Sequence, residues 1–225
     1  MEGRNKKTWA ALILGVAFLV LFTWGFISIV DELRENEVES FDKSVIDFVQ
    51  GFISPGLTTI MTTITFLGGV TGIAVGTVIS ILILLLMKKV PLAVFMALTV
   101  GIGGAFNSLL KSLFKRDRPD FHVLIEQGGY SFPSGHSMGS FIFYGAVAFM
   151  LYRAFDRHLY KWISIVAAVG LILVIGTSRV YLGVHYPSDI IGGYSAGGAW
   201  LIVSILVYSY LAERYKWWNQ NEKKA

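Results

Sequence analysis

The chain is 225 residues long, 54% hydrophobic and only 15% charged, with a mean hydropathy of +0.61, against roughly 25% charged residues in soluble domains. That balance excludes a water-soluble globular domain and points to an integral membrane protein. No cysteine is present, so disulfides and thiolate chemistry are excluded, and the formal charge of +4 sits in the flanks of apolar segments and gives no footing to a nucleic-acid partner.

Six segments contain no charged residue: 8–30, 48–87, 90–110, 137–152, 162–178 and 190–212. A crossing needs about 20 apolar residues, and backbone polar groups in lipid must be satisfied within the segment, so these are expected to be helices. Segment 8–30 has the basic start of a signal sequence but is too long for one and lacks a small-residue cleavage site, so it is expected to be retained. Residues 31–55 form a long connection in which Phe41, Val45, Phe48 and Phe52 recur at helical spacing. This short helix is expected to cover the bundle or, on a sharper reading of 40–54, to be an interfacial helix that gates lipid entry. Segment 48–87 is twice too long for one helix and is interrupted by Pro55, Gly68, Gly69 and Gly72. Its crossing is placed at roughly 68–87, with the threonine-rich stretch before it packed at or just inside the outer surface. Two crossings here would invert everything downstream.

Basic residues arbitrate. With six crossings, the inner side carries Arg4, Lys6, Lys7, Lys88, Lys89, Arg153, Arg157, Lys161, Arg214, Lys216, Lys223 and Lys224. The outer side keeps Arg34, Lys43, Lys111, Lys115, Arg116, Arg118 and Arg179. The inner excess supports an all-α bundle of six transmembrane helices with both termini cytoplasmic, in short tails of about 1–7 and 213–225. The whole of 1–225 reads as a single domain, with its active site at the extracytoplasmic end, in the cell membrane.

Polar residues gather on that outer side in three places. At 111–119, "KSLFKRDRP" spaces Lys111, Lys115 and Arg118 by four and three, one helical face if the span runs on until Pro119. At 133–136, "PSGH" offers Ser134 as an N-cap, with the N–H groups of Gly135 and His136 unpaired in the first turn. Such an end attracts anions. At 178–189, "SRVYLGVHYPSD" puts Pro187 at the start of the last span, Asp189 in its first turn and His185 just ahead. The carboxylate can then hold one ring nitrogen of His185 and leave the other free to act. Each place alone has an ordinary explanation, in snorkelling lysines, capping or an interfacial histidine. Converging on one face of one bundle, they form a site for a transferring phosphoryl group, with Lys111, Arg118 and Arg179 as cations.

The spacing K-x6-R-P at 111–119, the PSGH, and S-R-x5-H-x3-D at 178–189 together resemble the tripartite signature of the type 2 phosphatidic acid phosphatase superfamily. The resemblance implies six helices and a metal-independent lipid phosphatase without cofactor. It implies His185 as the nucleophile that becomes a phosphohistidine, oriented by Asp189, and His136 as the acid for the leaving group. Lys111, Arg118, Ser134, Gly135 and Arg179 would bind the phosphate. The implied partner is a lipid phosphate in the bilayer, phosphatidylglycerophosphate first, with phosphatidic acid or undecaprenyl diphosphate as alternatives.

Rival readings are weaker on physical grounds. His136, His185 and Asp189 could ligate a metal, but three cations in the same site would repel a divalent ion. A transporter wants ionisable groups at mid-membrane, which these spans lack. A vanadate haloperoxidase resembles the same motifs but is soluble. His122 is expected to be a solvated loop histidine, and Lys115 and Arg116 to steer anions or meet headgroups. Trp9, Trp24, Trp162, Trp217 and Trp218 are expected in interfacial belts, and Asn107 in a helix–helix hydrogen bond.

Overall fold

A computed structural model describes residues 2–120 and 122–214, with side chains from Trp9 onward. Trp217, Trp218 and the basic residues of the expected tails other than Arg214 lie outside the described side chains. Among the described residues there are eight helices and no strand: α1 (Glu2–Arg34), α2 (Val38–Gln50), α3 (Pro55–Gly68), α4 (Val70–Leu86), α5 (Val90–Phe114), α6 (Gly135–Ala154), α7 (His158–Tyr181) and α8 (Pro187–Arg214).

By length and composition, α1, α5, α7 and α8 can each cross a membrane, and the bent pair α3–α4 makes a fifth if taken as one broken span. The pair bends by 51° at Gly69. α6 falls outside that set because Gly135, His136 and its serines dilute the apolar run. α6 also sits at the centre, packing against α7, α8, α5, α4 and α3, so little of it needs to face lipid.

Lipid tails are as apolar as leucine, so close backbone approach rather than hydrophobic burial drives helix association here. α8 supplies the small residues. A Cβ at Gly198 would come within 2.6 Å of the Phe22 ring of α1, and one at Gly193 within 2.8 Å of the Ser134 carbonyl that opens α6. α3 lies across the end of α7: Ser54 and Thr58 meet the Tyr181 hydroxyl, while Thr65, further along α3, reaches Arg179.

Two sequence expectations are corrected here. The short helix expected over 31–55 forms as α2 and packs on α7 and α8, but not through the expected face, because Phe41, Phe48 and Phe52 are exposed and Val45 is only half-buried. The docked face is Val38, Asp42, Ile46 and Gln50. In a membrane protein an apolar face can be left to lipid, whereas a buried carboxylate and amide must find partners inside. Second, Lys111, Lys115 and Arg118 do not share a helical face. α5 ends at Phe114, and Lys115 turns left-handed at φ 49 with its N–H on the Lys111 carbonyl. Arg118 therefore returns to the site from an extended segment.

Candidate active site

Four helix ends and one loop converge. Ser134 caps α6 as expected, its hydroxyl accepting from the Ser137 N–H at 3.3 Å. Its own N–H donates to the Asp189 carbonyl at 3.0 Å, which ties the start of α6 to the start of α8. Pro187 opens α8 and puts Asp189 in its first turn.

Asp189 is fully buried and saturated with donors. Arg116 donates to Oδ1 at 2.7 Å. Oδ2 receives the Tyr186 N–H at 2.9 Å and the Ser131 hydroxyl, and lies 3.2 Å from His185 Nδ1. On the far side of the imidazole, Arg118 Nη1 stands 3.1 Å from Nε2. These two neighbours fix the tautomer. An ionised carboxylate only accepts and a guanidinium only donates. The proton therefore sits on Nδ1, and Nε2 keeps its lone pair. Burial pushes His185 down from its ordinary value to about 4, with the Asp189 hydrogen bond opposing, so the ring is neutral near pH 7. Burial also lowers Arg118, with Asp189 opposing.

The other cations are held by the 127–131 segment. Lys111 donates to the Tyr130 carbonyl and, at 3.0 Å, to that of Ser131. Arg118 Nε donates to the Gly129 carbonyl at 2.9 Å, and Nη1 also reaches the Val184 carbonyl at 2.7 Å. Arg179, only 1% exposed, donates to Thr65 Oγ1 and Gln127 Oε1, each at 2.7 Å. Its Nε has no partner, and a buried donor left unmade costs about 1–3 kcal/mol. The His136 ring stands against the α3–α4 break, where a Cβ on Gly69 would lie 3.4 Å from Nε2. A side chain there would crowd the imidazole, so the interruption that bends the chain also makes space for it.

Lys111, Arg118, His136 and His185 line one cavity of about 470 Å³. Apolar side chains also line it: Val70, Ile73 and Ala74 of α4 and Val100 of α5. The expected residues thus meet at one end of the bundle. Among the described residues no group of three or more His, Asp or Glu is arranged to hold a metal ion.

Several contributors were not read from the sequence. Ser131, Thr65 and Gln127 come from outside the three motifs and carry no local signal. Arg116 was expected to steer anions or meet headgroups, but it forms ion pairs with Asp42 and Asp189 instead. His122 is exposed with φ 49 and touches the site only indirectly, its carbonyl 3.4 Å from Gln50 Nε2. Asn107 does bond between helices, to Met138 Sδ at 3.4 Å.

A helical membrane bundle bearing this site is a phosphatase, a phosphoric ester hydrolase, and the chain belongs to the PAP2 superfamily, whose model matches residues 92–213. It is similar to phosphatidylglycerophosphatase B of Bacillus subtilis, at 34% identity over 175 residues, 76% of this chain and 85% of that one. The crystal structure of the transmembrane PAP2-type phosphatidylglycerolphosphate phosphatase from Bacillus subtilis superposes with a TM-score of 0.81 at 29% identity, covering 86% of this chain and 96% of that one. A putative undecaprenyl-diphosphatase of Escherichia coli is 34% identical over 111 residues, 47% of this chain and 52% of that one, so the match spans about half of that relative.

Proposed function

We propose that the protein is a metal-independent lipid phosphatase that works through a phosphohistidine on His185, with phosphatidylglycerophosphate as first substrate. The observation that carries the reading is the His185 ring, held between an acceptor-only carboxylate and a donor-only guanidinium with its lone pair on Nε2. Nε2 attacks phosphorus and the ester P–O bond breaks. Lys111, Arg118, Arg179 and the N–H groups of Gly135 and His136 take the charge on the phosphoryl oxygens. His136 gives its proton to the leaving alkoxide. That imidazole must be cationic when substrate is bound, and the incoming phosphate supports it against the surrounding cations. Water, deprotonated by His136, then cleaves the P–N bond and frees inorganic phosphate. Three cations supply what a divalent ion would otherwise do.

The lipid assignment rests on the cavity. Cationic residues and apolar side chains of α4 and α5 line the same cavity, which suits a headgroup phosphate with its tail in the bilayer. The preference for phosphatidylglycerophosphate follows the Bacillus subtilis relative. An undecaprenyl-diphosphatase role is the second reading, favoured by the Escherichia coli relative. Purified protein assayed with competing lipids should favour phosphatidylglycerophosphate over phosphatidic acid and undecaprenyl diphosphate. Turnover should persist in EDTA, and vanadate should compete with substrate. Activity lost in EDTA and restored by magnesium or zinc would replace the cationic mechanism with a metal-dependent one.

In this reading α1, α4, α5, α6, α7 and α8 cross the plasma membrane, with the termini inside and the site outside. The cysteine-free sequence allows a direct check. A cysteine placed at 123–128 should react with an impermeant thiol reagent in intact cells, and one at Arg157 should not. The reverse pattern would put the site in the cytoplasm.

The pH profile carries the sign of the His185 shift. With that ring held down to about 4, kcat/KM corrected for substrate ionisation should stay level from pH 7 to about 5 and fall as pH approaches 4, rather than breaking near the ordinary histidine value of about 6.5. Stability moves the same way. Below about 6.5 the unfolded chain takes up a proton that the folded one refuses, so this contribution is complete above that pH and is lost towards 4. An acid limb centred near 6.5 would contradict a buried neutral nucleophile.

A further inference from the structure

Arg116 lies between the lysine and arginine of the first motif, and Asp42 lies on a helix outside all three. A carboxylate buried on α2 is costly unless paired and fully hydrogen-bonded, and Asp42 is 2% exposed. It is answered on all sides. Oδ1 accepts the Ser188 N–H at 2.8 Å, and Oδ2 accepts the Ser188 hydroxyl at 2.6 Å and Arg116 Nη2 at 2.9 Å. Arg116 divides its fork. Nη2 serves Asp42, while Nη1 serves Asp189 Oδ1 and the Ser188 hydroxyl, both at 2.7 Å. The guanidinium carbon sits over the Tyr186 ring, 4.0 Å from its centroid.

This geometry does two things to Asp189. With Oδ1 tied to Arg116, the carboxylate cannot rotate, and Oδ2 is held towards His185. The charge count also matters. Arg116 alone would neutralise Asp189 and weaken its support of the positive imidazole that forms on phosphorylation. Two carboxylates around one guanidinium leave a net charge of minus one behind the ring.

We propose that Asp42 and Arg116 are positioning residues for the reaction, Arg116 fixing the Asp189 carboxylate and Asp42 preserving the net negative charge that faces His185. The proposal rests on the phosphohistidine reading above. It gives α2 a catalytic function beyond packing, because the helix reaches His185 through two ion pairs.

The test compares wild type, Asp42→Asn, Arg116→Gln and the double variant, each purified and checked for a cooperative melt. kcat and KM are measured on phosphatidylglycerophosphate, and phosphohistidine is measured in quenched turnover. Asp42→Asn keeps the side-chain shape and sets the net charge to zero, although its NH₂ must face the donors of either Oδ1 or Oδ2. Its kcat should fall about 10–100-fold, the usual effect of an outer-shell partner, with KM within about twofold. The double variant restores a net charge of minus one, so it should turn over several-fold faster than Asp42→Asn. A purely structural role predicts the opposite order, the double variant being no better than either single one, and that order would overturn the proposal, as would an unchanged kcat in Asp42→Asn. If Asp42→Asn does not fold, Arg116→Lys decides, because it keeps the charge but cannot bridge two carboxylates. A lower kcat at unchanged KM supports the proposal, and full activity rejects it. Turnover of the wild type with no label on His185 would remove the underlying reading instead, and the proposal with it. Label on the wild type with unresponsive variants would reject the proposal alone.

Discussion

His185→Ala is expected to lose turnover on every phosphate ester by up to about 10⁶-fold, the scale seen when a nucleophile is deleted. His136→Ala is expected to lose about 10²–10⁴-fold, and only where the leaving group needs a proton. The two imidazoles share a cavity but differ in their surroundings. His185 is clamped between Asp189 and Arg118 with a lone pair on Nε2. His136 stands against the Gly68–Gly69 break, and among the described residues no side-chain hydrogen bond ties its ring. On a lipid phosphate monoester, whose alkoxide leaves poorly, both variants should be slow. On p-nitrophenyl phosphate the phenolate leaves unaided, so His136→Ala should recover part of its rate while His185→Ala stays inactive. Equal losses on both substrates for both variants would dissolve the distinction.

Asp189→Asn is expected to cost both turnover and stability. Arg116, Ser131 and the Tyr186 N–H all point donors at this carboxylate. An amide accepts at one position only, so its NH₂ must face at least one donor. A buried donor left unsatisfied costs about 1–3 kcal/mol, more when it is charged. The amide also offers no negative charge to a forming phosphohistidine, and if its NH₂ turns towards His185 it favours the tautomer with the lone pair on Nδ1, away from substrate. A comparable carboxylate-to-amide change in serine proteases lowers kcat about 10⁴-fold, and a loss of about 10²–10⁴-fold is expected here. Circular dichroism should show a lower melting point alongside the kinetic loss. An Asp189→Asn protein that melts like wild type and retains full kcat would show that the carboxylate does not orient the nucleophile.

The layout of the candidate site was legible because its parts sit at fixed offsets in short motifs. Ser134 as an N-cap, Pro187 at the start of α8, and Asp189 four residues after His185 are local facts, and local structure follows sequence closely there. The three motifs meet because α5, α6, α7 and α8 bring their ends to one side. What the sequence hid is relational. Thr65 and Gln127 meet Arg179 from 114 and 52 residues away, and neither spacing has a period. The docked face of α2 was misjudged because the phenylalanine spacing looked like the packing stripe. The helix docks instead through Val38, Asp42, Ile46 and Gln50, and Phe41 and Phe48 are exposed beside Glu39, Lys43 and Asp47. α5 was extended too far because helical spacing between Lys111 and Arg118 looked like continuity, whereas a left-handed Lys115 ends the helix and Arg118 arrives by another route.

Trapping the intermediate tests the central claim most directly. Purified protein turning over ³²P-labelled lipid phosphate in EDTA, quenched within milliseconds, should carry label that acid releases and alkali preserves, as a phosphohistidine does. The label should be present on the wild type and on His136→Ala when a good leaving group is used, and absent on His185→Ala. Label that survives in His185→Ala, or steady turnover with no labelled protein at all, would contradict the account.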